Sequence, residues 1–177
     1  MVYIGIDQSY TSTGFVVLDN NKKIIDCKIF STNKDDDIFK RSWDLSELII
    51  QEISKYDECK LSIEGLAFSM RGNATRDLAG LQFSIINKIK FILNKDITIV
   101  APPTLKKSAI GSGKASKEEM IDALPTDILN LFTNEKKWKK SRGLTDVTDA
   151  YFLAEYLIDC ENQITKSAGK PPSFRAG

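Results

Sequence analysis

The sequence predicts a single α/β domain: a mixed sheet with helices packed on its faces. Three observations lead there. Residues 2–7, 13–18 and 23–30 are short runs rich in Ile, Val, Phe and Tyr, joined by brief polar connections, the pattern of an antiparallel meander. Beyond them, strand-like runs at 61–64 and 97–100 alternate with segments of helical periodicity, as strands joined by helical crossovers do. A length of 177 residues fits one domain with a sizeable core.

The elements follow in order. Asp19-Asn20-Asn21-Lys22 is a turn between the second and third strands, and Asn33 to Asp37 is a polar, acidic loop. From Ile38 to Tyr56 the apolar residues Ile38, Trp43, Leu45, Leu48, Ile49 and Ile53 recur at helical spacing. Leu61-Ser62-Ile63-Glu64 is a short strand, and Ala67 to Asn73, with Phe68, Met70 and Arg71, is a flexible loop. A second helix spans 74–93, with Leu78, Leu81, Ile85, Ile89 and Ile92 on one face. Ile97 to Val100 is a strand that Pro102 and Pro103 stop. Lys106 to Lys117 is a loop leading to a helix over 118–124, which Pro125 breaks. Glu135 to Gly143 is a lysine-rich loop. The last helix spans 145–160 with Val147, Ala150, Ala154, Leu157 and Ile158 as its core stripe, so the expected order is βββαβαβα with one extra helical segment. The domain is expected to occupy 1–162, and 163–177 to be a disordered tail.

Composition excludes more than it assigns. The chain has no histidine, which removes Ser-His-Asp and Cys-His catalysis and His-ligated zinc together. Cys27, Cys59 and Cys160 form no metal or redox spacing and read as reduced structural thiols. No apolar run approaches the roughly 20 residues of a membrane span, so the expected location is cytoplasmic. The net charge is only +1, yet nine basic and five acidic residues between Lys106 and Arg142 leave +4 locally. Such a face can bind phosphates while the whole chain stays near neutral.

Chemistry must therefore come from carboxylates, lysines or tyrosines. Asp7 ends the first strand, after the apolar run Tyr3-Ile4-Gly5-Ile6. An acid there either serves a cation or bonds its own backbone in the turn that follows. Glu64 ends the fourth strand in the same way, and parallel pairing of the two strands would put these ends side by side. Asp146 and Asp149, three apart at a helix start, share one face. They could complement the helix dipole, or meet the first pair across the sheet. Four convergent carboxylates repel and call for cations, for which Mg²⁺ is the natural hard ion. Two such ions about 4 Å apart can activate water and stabilise a leaving oxygen in phosphodiester hydrolysis.

The segments Ile4-Gly5-Ile6-Asp7, Ser62-Ile63-Glu64-Gly65 and Leu144 to Ala150 together resemble the RuvC-type Holliday junction resolvases of the RNase H-like superfamily. The resemblance covers residues 2–160 and implies a five-stranded sheet of order 3-2-1-4-5 with helices on both faces. It implies that Asp7, Glu64, Asp146 and Asp149 are catalytic and bind two Mg²⁺ ions, with Mn²⁺ as a substitute. It implies a homodimer that nicks four-way DNA junctions, with no small-molecule cofactor and no membrane partner. Lys106 and Lys117 would then contact the scissile phosphate region, with Lys107 and Lys114 on the same basic face. Phe68 sits near the family's junction-wedge aromatic, displaced by about one residue, and Arg71 lies in the same loop. Gln8-Ser9 departs from the family's usual Pro-Gly after the first acid, and the lysine-rich loop at 136–142 is longer than expected. Both departures bear on junction choice more than on chemistry, and the loop is expected to bind phosphates too. Surplus apolar residues of the 74–93 helix, Phe83, Ile86 and Phe91, make it the expected dimer contact. Other classes stay open at this point: an RNase H-like nuclease of broader branched-DNA or RNA specificity, a non-catalytic DNA-structure-binding module, and an actin-like ATPase.

Overall fold

The computed structural model describes residues 1–66 and 73–168, with side chains through Thr165. Three antiparallel strands come first: β1 (Val2–Asp7), β2 (Thr13–Leu18) and β3 (Ile24–Phe30). After α1 (Ile38–Ile53), β4 (Cys59–Glu64) pairs in parallel with β1. After α2 (Asn73–Phe91), β5 (Ile97–Val100) extends the parallel half, giving the order β3-β2-β1-β4-β5. Then follow α3 (Pro102–Ile110), α4 (Lys117–Asp122), α5 (Thr126–Asn130), a π-helical turn at Leu131–Glu135, and the long α6 (Leu144–Ala168). No helix of the described residues is long and apolar enough to cross a membrane.

Alternation along the strands divides the core in two. Ile4, Ile6, Phe15, Val17, Leu61 and Ile63 point to the side covered by α1 and α2, where they meet Leu45, Ile49, Leu81, Ile85 and Ile89. Tyr3, Val16 and Leu18 point to the opposite side, against Val147, Ala150, Leu153 and Ala154 of α6. Each buried Leu or Ile contributes roughly 1.5–3 kcal/mol against exposure, so the two layers together fix which strand face is which.

On the α6 side the sheet is made of small residues where the helix crosses it. A Cβ on Gly5 would stand 1.9 Å from the Ala150 carbonyl oxygen, and one on Gly14 would stand 2.1 Å from that of Asp146. Ser62, buried beside Gly5 on the neighbouring β4, donates from Oγ to the Leu153 carbonyl at 2.9 Å. Backbone therefore meets backbone, and α6 sits closer to β1 and β2 than ordinary side chains would allow.

Several sequence expectations change. The Lys106–Lys117 segment is not all loop: α3 starts at the two prolines and runs to Ile110, ending at Gly111 with φ 81°. Proline stops a strand, but its fixed φ also suits the first helical turn. In α1, Trp43 (61% exposed) and Leu48 face solvent, and so does Ile92, which the expected 74–93 helix included but which falls in the turn just past the end of α2. Ile86, expected to point away from the core, is buried against it. The last helix continues to Ala168, past the expected tail boundary at 163.

Candidate active site

Strand parity aims the first two acids. Asp7 lies on the same face of β1 as Tyr3 and Gly5, and Glu64 lies on the same face of β4 as Ser62, so both face α6. The β1–β4 register pairs Ile6 with Ile63, which leaves Asp7 and Glu64 as neighbours at the two carboxyl ends. Asp146 and Asp149 come from the first two turns of α6, brought down by the close contacts at Gly5 and Gly14. All four acids line one cavity of about 350 Å³, together with Gln8, Lys106 and Lys117. Its far wall is α3 and α4. Lys106 reaches into it while donating from Nζ to the Ala115 carbonyl at 2.7 Å, which braces the loop between those helices.

The electrostatics follow from this crowding. Burial pushes Asp7 well above the usual carboxylate range, and Glu64, Asp149 and Asp146 push it further, while Lys117 opposes them. Burial likewise lifts Glu64 to about 7, with Asp149 adding to it and a hydrogen bond to Asp7, then Lys106 and Lys117, pulling it down. Asp149 is raised to about 6, chiefly by burial, against the pull of Lys117. Like charges held together in a partly dry cleft take up protons when no cation is present. Among the described residues, no three acidic, Cys or His side chains are grouped tightly enough to hold an ion. The acids stand along the cavity walls.

Two glutamines support the site that sequence reasoning missed. Gln8 Nε2 and Gln82 Nε2 both donate to the Glu64 carbonyl, at 2.9 and 2.7 Å, fixing the end of β4 from two sides. Both side chains are buried. Gln8 could have been noticed as a polar residue directly behind the strand-end acid. Gln82 had no local signal, because its partner is 18 residues away on another element. Of the four lysines expected near the site, Lys106 and Lys117 line the cavity, whereas Lys107 and Lys114 are exposed outside it. Phe68 and Arg71 lie outside the described residues.

A mixed 3-2-1-4-5 sheet with acids at the ends of β1 and β4 and at the start of α6 defines an RNase H-like nuclease fold. The profile of the family described as "Crossover junction endodeoxyribonuclease RuvC" matches residues 3–151. A RuvC of Prochlorococcus marinus subsp. pastoris is 32% identical over 133 residues, covering 70% of this chain and 80% of that protein. Thermus thermophilus RuvC, solved in complex with Holliday junction substrate, superposes with a TM-score of 0.71 at 16% identity, covering 92% of this chain and 96% of that one. The Fowlpox virus resolvase, solved with Holliday junction DNA, gives a TM-score of 0.56 at 16% identity over 91% of this chain and 99% of that one. At those identities the two structures speak to the fold. The chain belongs to the crossover junction endodeoxyribonuclease RuvC family of Holliday junction resolvases.

Proposed function

We propose that this protein is a metal-dependent endonuclease that resolves four-way DNA junctions by paired phosphodiester hydrolysis, with Asp7, Glu64, Asp146 and Asp149 as its catalytic set. The observation that carries the proposal is the convergence of these acids, from β1, β4 and α6, on one cavity whose opposite wall carries Lys106 and Lys117. Family membership and the junction-bound structures of its relatives support the substrate class.

The donor set fits Mg²⁺ or Mn²⁺: it is all oxygen, it has no histidine or thiolate, and burial first and the neighbouring carboxylates second raise Asp7, Glu64 and Asp149, a load that a bound cation relieves. Two bound ions would supply an activated water and stabilisation of the leaving oxygen. The protein does the rest. Asp7 feels all three other acids, with Glu64 beside it on the neighbouring strand, and Asp149 acts on Glu64 as well. Gln8 and Gln82 hold the Glu64 backbone, so its carboxylate can move only about its own side-chain torsions. Lys106 and Lys117 offset the charge of the phosphate being cut, with Lys107 and Lys114 adding to the approach face.

The working unit in this proposal is a two-fold dimer formed through α2, because a four-way junction has approximate two-fold symmetry and one cluster cuts one strand at a time. Phe83 and Phe91 are 63% and 82% exposed on α2, and Ile92 follows them. Phe39 and Trp43 are exposed apolar residues of α1, which packs on α2, and Phe39 lines a cavity of about 550 Å³ together with Ile38 and Gly80. Patches of this kind mark interaction sites.

Cleavage of a cruciform plasmid, with Mg²⁺ and EDTA arms beside linear-duplex and RNA–DNA hybrid controls, tests the proposal. Linear product in Mg²⁺ alone is expected, because paired nicks within one binding event linearise the plasmid. Asp7→Asn should abolish cutting and leave junction binding. Wild-type cleavage by Asp7→Asn would sink the site assignment, and open circles from a monomer in sedimentation would sink the paired mechanism. Preferential cutting of the hybrid would shift the substrate class to RNA.

A further inference from the structure

A second polar cavity, of about 500 Å³, adjoins the acid cluster and shares Asp146 with it as a common wall. It lies between the β1–β2 turn, the segment after β3 and the lysine-rich loop before α6. Three cations line it: Lys34, Lys140 and Arg142. Among the described residues Lys34 and Arg142 form no ion pair, and Lys140 reaches only Glu118, at 3.9 Å between two exposed groups. Such a pair holds its lysine weakly.

Thr11 and Thr32 on the lining are hydrogen-bonded to Ser9, Tyr10 and Arg41, but three other hydroxyls of the cavity are as free as the cations. Ser12 Oγ is buried and has no hydrogen-bond partner, an arrangement that calls for one. Ser31 and Thr145, also on the lining, make no side-chain hydrogen bond among the described residues. In the first turn of α6 the Leu144 and Val147 N–H groups bond the Lys139 and Gly143 carbonyls, which leaves those of Thr145 and Asp146, both on the lining, without a backbone acceptor among the described residues.

The cavity is held open by structure of its own. Trp138 packs on Phe132 at 5.4 Å between ring centres and donates its backbone N–H to the Phe132 carbonyl at 2.9 Å. Lys139 and Arg142 close a tight turn, and the Leu144 N–H returns to the Lys139 carbonyl at 3.1 Å. Gly143, at φ 87°, bends the chain into α6, and a Cβ there would collide with Ile29. Across the cavity, Arg41 donates to Thr32 Oγ1 and to the Tyr10 carbonyl, tying the two opposing loops together.

Free cations, an orphaned buried hydroxyl and helix-start amides in one braced cavity are the recognition chemistry of a phosphate. We propose that this cavity binds a backbone phosphate of the strand being cut, on the side of Asp146 opposite Lys106 and Lys117. Arg142 and Lys34 are its charged contacts and Ser12 its buried donor. The proposal rests on the nuclease reading above and adds a specific foothold: the strand is gripped on both sides of the scissile bond, so the cut is fixed in position along it. It also gives the long lysine-rich loop a defined task, since of its lysines only Lys140 reaches the cavity.

The test places a single neutral methylphosphonate at each position flanking the mapped cut in a four-way junction. Binding is measured with EDTA present, for wild type and for Arg142→Ala, Lys34→Ala and Lys137→Ala. One position is expected to weaken wild-type binding severalfold, and to cost Arg142→Ala and Lys34→Ala little more than they have already lost. Lys137→Ala, whose side chain is outside the cavity, should keep the full methylphosphonate effect. The slope of log affinity against log salt should become shallower by about 0.9 for each cavity cation removed. If wild type binds and cuts the junction but no methylphosphonate position couples to Arg142 or Lys34, this proposal alone falls. If wild type binds no branched DNA, the nuclease reading falls with it.

Discussion

Replacing Glu64 by Gln should make the metal-free protein more stable at neutral pH while destroying its activity. Burial and neighbouring Asp149 raise the Glu64 carboxyl from its ordinary 4.5 to about 7 in the folded protein. A carboxyl raised on folding favours the folded state below its unfolded pKa, and that contribution is lost as pH climbs through the folded value. Wild type without metal should therefore lose stability between about pH 4.5 and pH 7. The gap corresponds to about 3 kcal/mol. Because the repulsion is shared with Asp7 and Asp149 and the cleft is partly open to water, about 2 kcal/mol is the expected gain for Glu64→Gln at pH 8. For a domain of this length that is a rise of about 4–8 °C in Tm. Urea unfolding in EDTA at pH 5 and pH 8, repeated with Mg²⁺, measures it. At pH 5 wild-type Glu64 already carries its proton, so the variant should gain little there. Mg²⁺ at pH 8 should stabilise wild type more than the variant. An equal gain at both pH values would trace the effect to packing, and no gain at pH 8 would mean the cluster is not under electrostatic load.

Other outcomes follow from the same geometry. At limiting Mg²⁺ the cleavage rate should rise from pH 6 to above pH 7, as Asp149 (about 6) and then Glu64 (about 7) release their protons, and excess Mg²⁺ should move the rise to lower pH. Gly5→Ala should cost about 1–3 kcal/mol in urea unfolding and remove cleavage, since its Cβ would stand 1.9 Å from the Ala150 carbonyl oxygen. Asp37→Ala removes the cap that accepts from Phe39 and Lys40 N–H at 2.9 and 3.0 Å, and should cost about 1 kcal/mol with cleavage unchanged. Phe83→Glu should weaken self-association in sedimentation velocity without lowering Tm, because that side chain is exposed.

The sheet was legible because its signals are local. β-Branched runs, brief turns and crossover helices each announce themselves within about ten residues. The strand-end acids were legible for the same reason: Asp7 and Glu64 break apolar runs where a carboxylate is out of place. What stayed hidden depends on partners far away in sequence. Gly5 reads as one member of the apolar run before Asp7, but what the structure asks of it is clearance for α6, about 145 residues later. Gln82 reads as a polar position on a helix, and only the fold shows it holding the end of β4. Trp43 and Ile92 sit at apolar helical spacing yet face outward, because periodicity assigns a stripe without saying what covers it. Pro102 and Pro103 carry two compatible messages, strand end and helix start, and only the first is obvious from the sequence.

The glycine contacts under α6 also make the two sides of the cleft unequal in compliance. On the sheet side, peptide groups of α6 rest on peptide groups of β1 and β2, with no side-chain torsions between them to absorb a displacement. On the other side, α3 and α4 are linked across their loop by the Lys106–Ala115 hydrogen bond, a contact made by the tip of a flexible side chain. Under the proposed function, a branched DNA arm in this cleft would meet one wall of peptide on peptide and another of side chains, Leu105, Met120 and Ile121, packed into the α6-side core. Adjustment to different arm geometries would then fall on the side-chain contacts of α3 and α4, and the separation of Asp7 from Asp146 and Asp149 would be set by backbone contact alone.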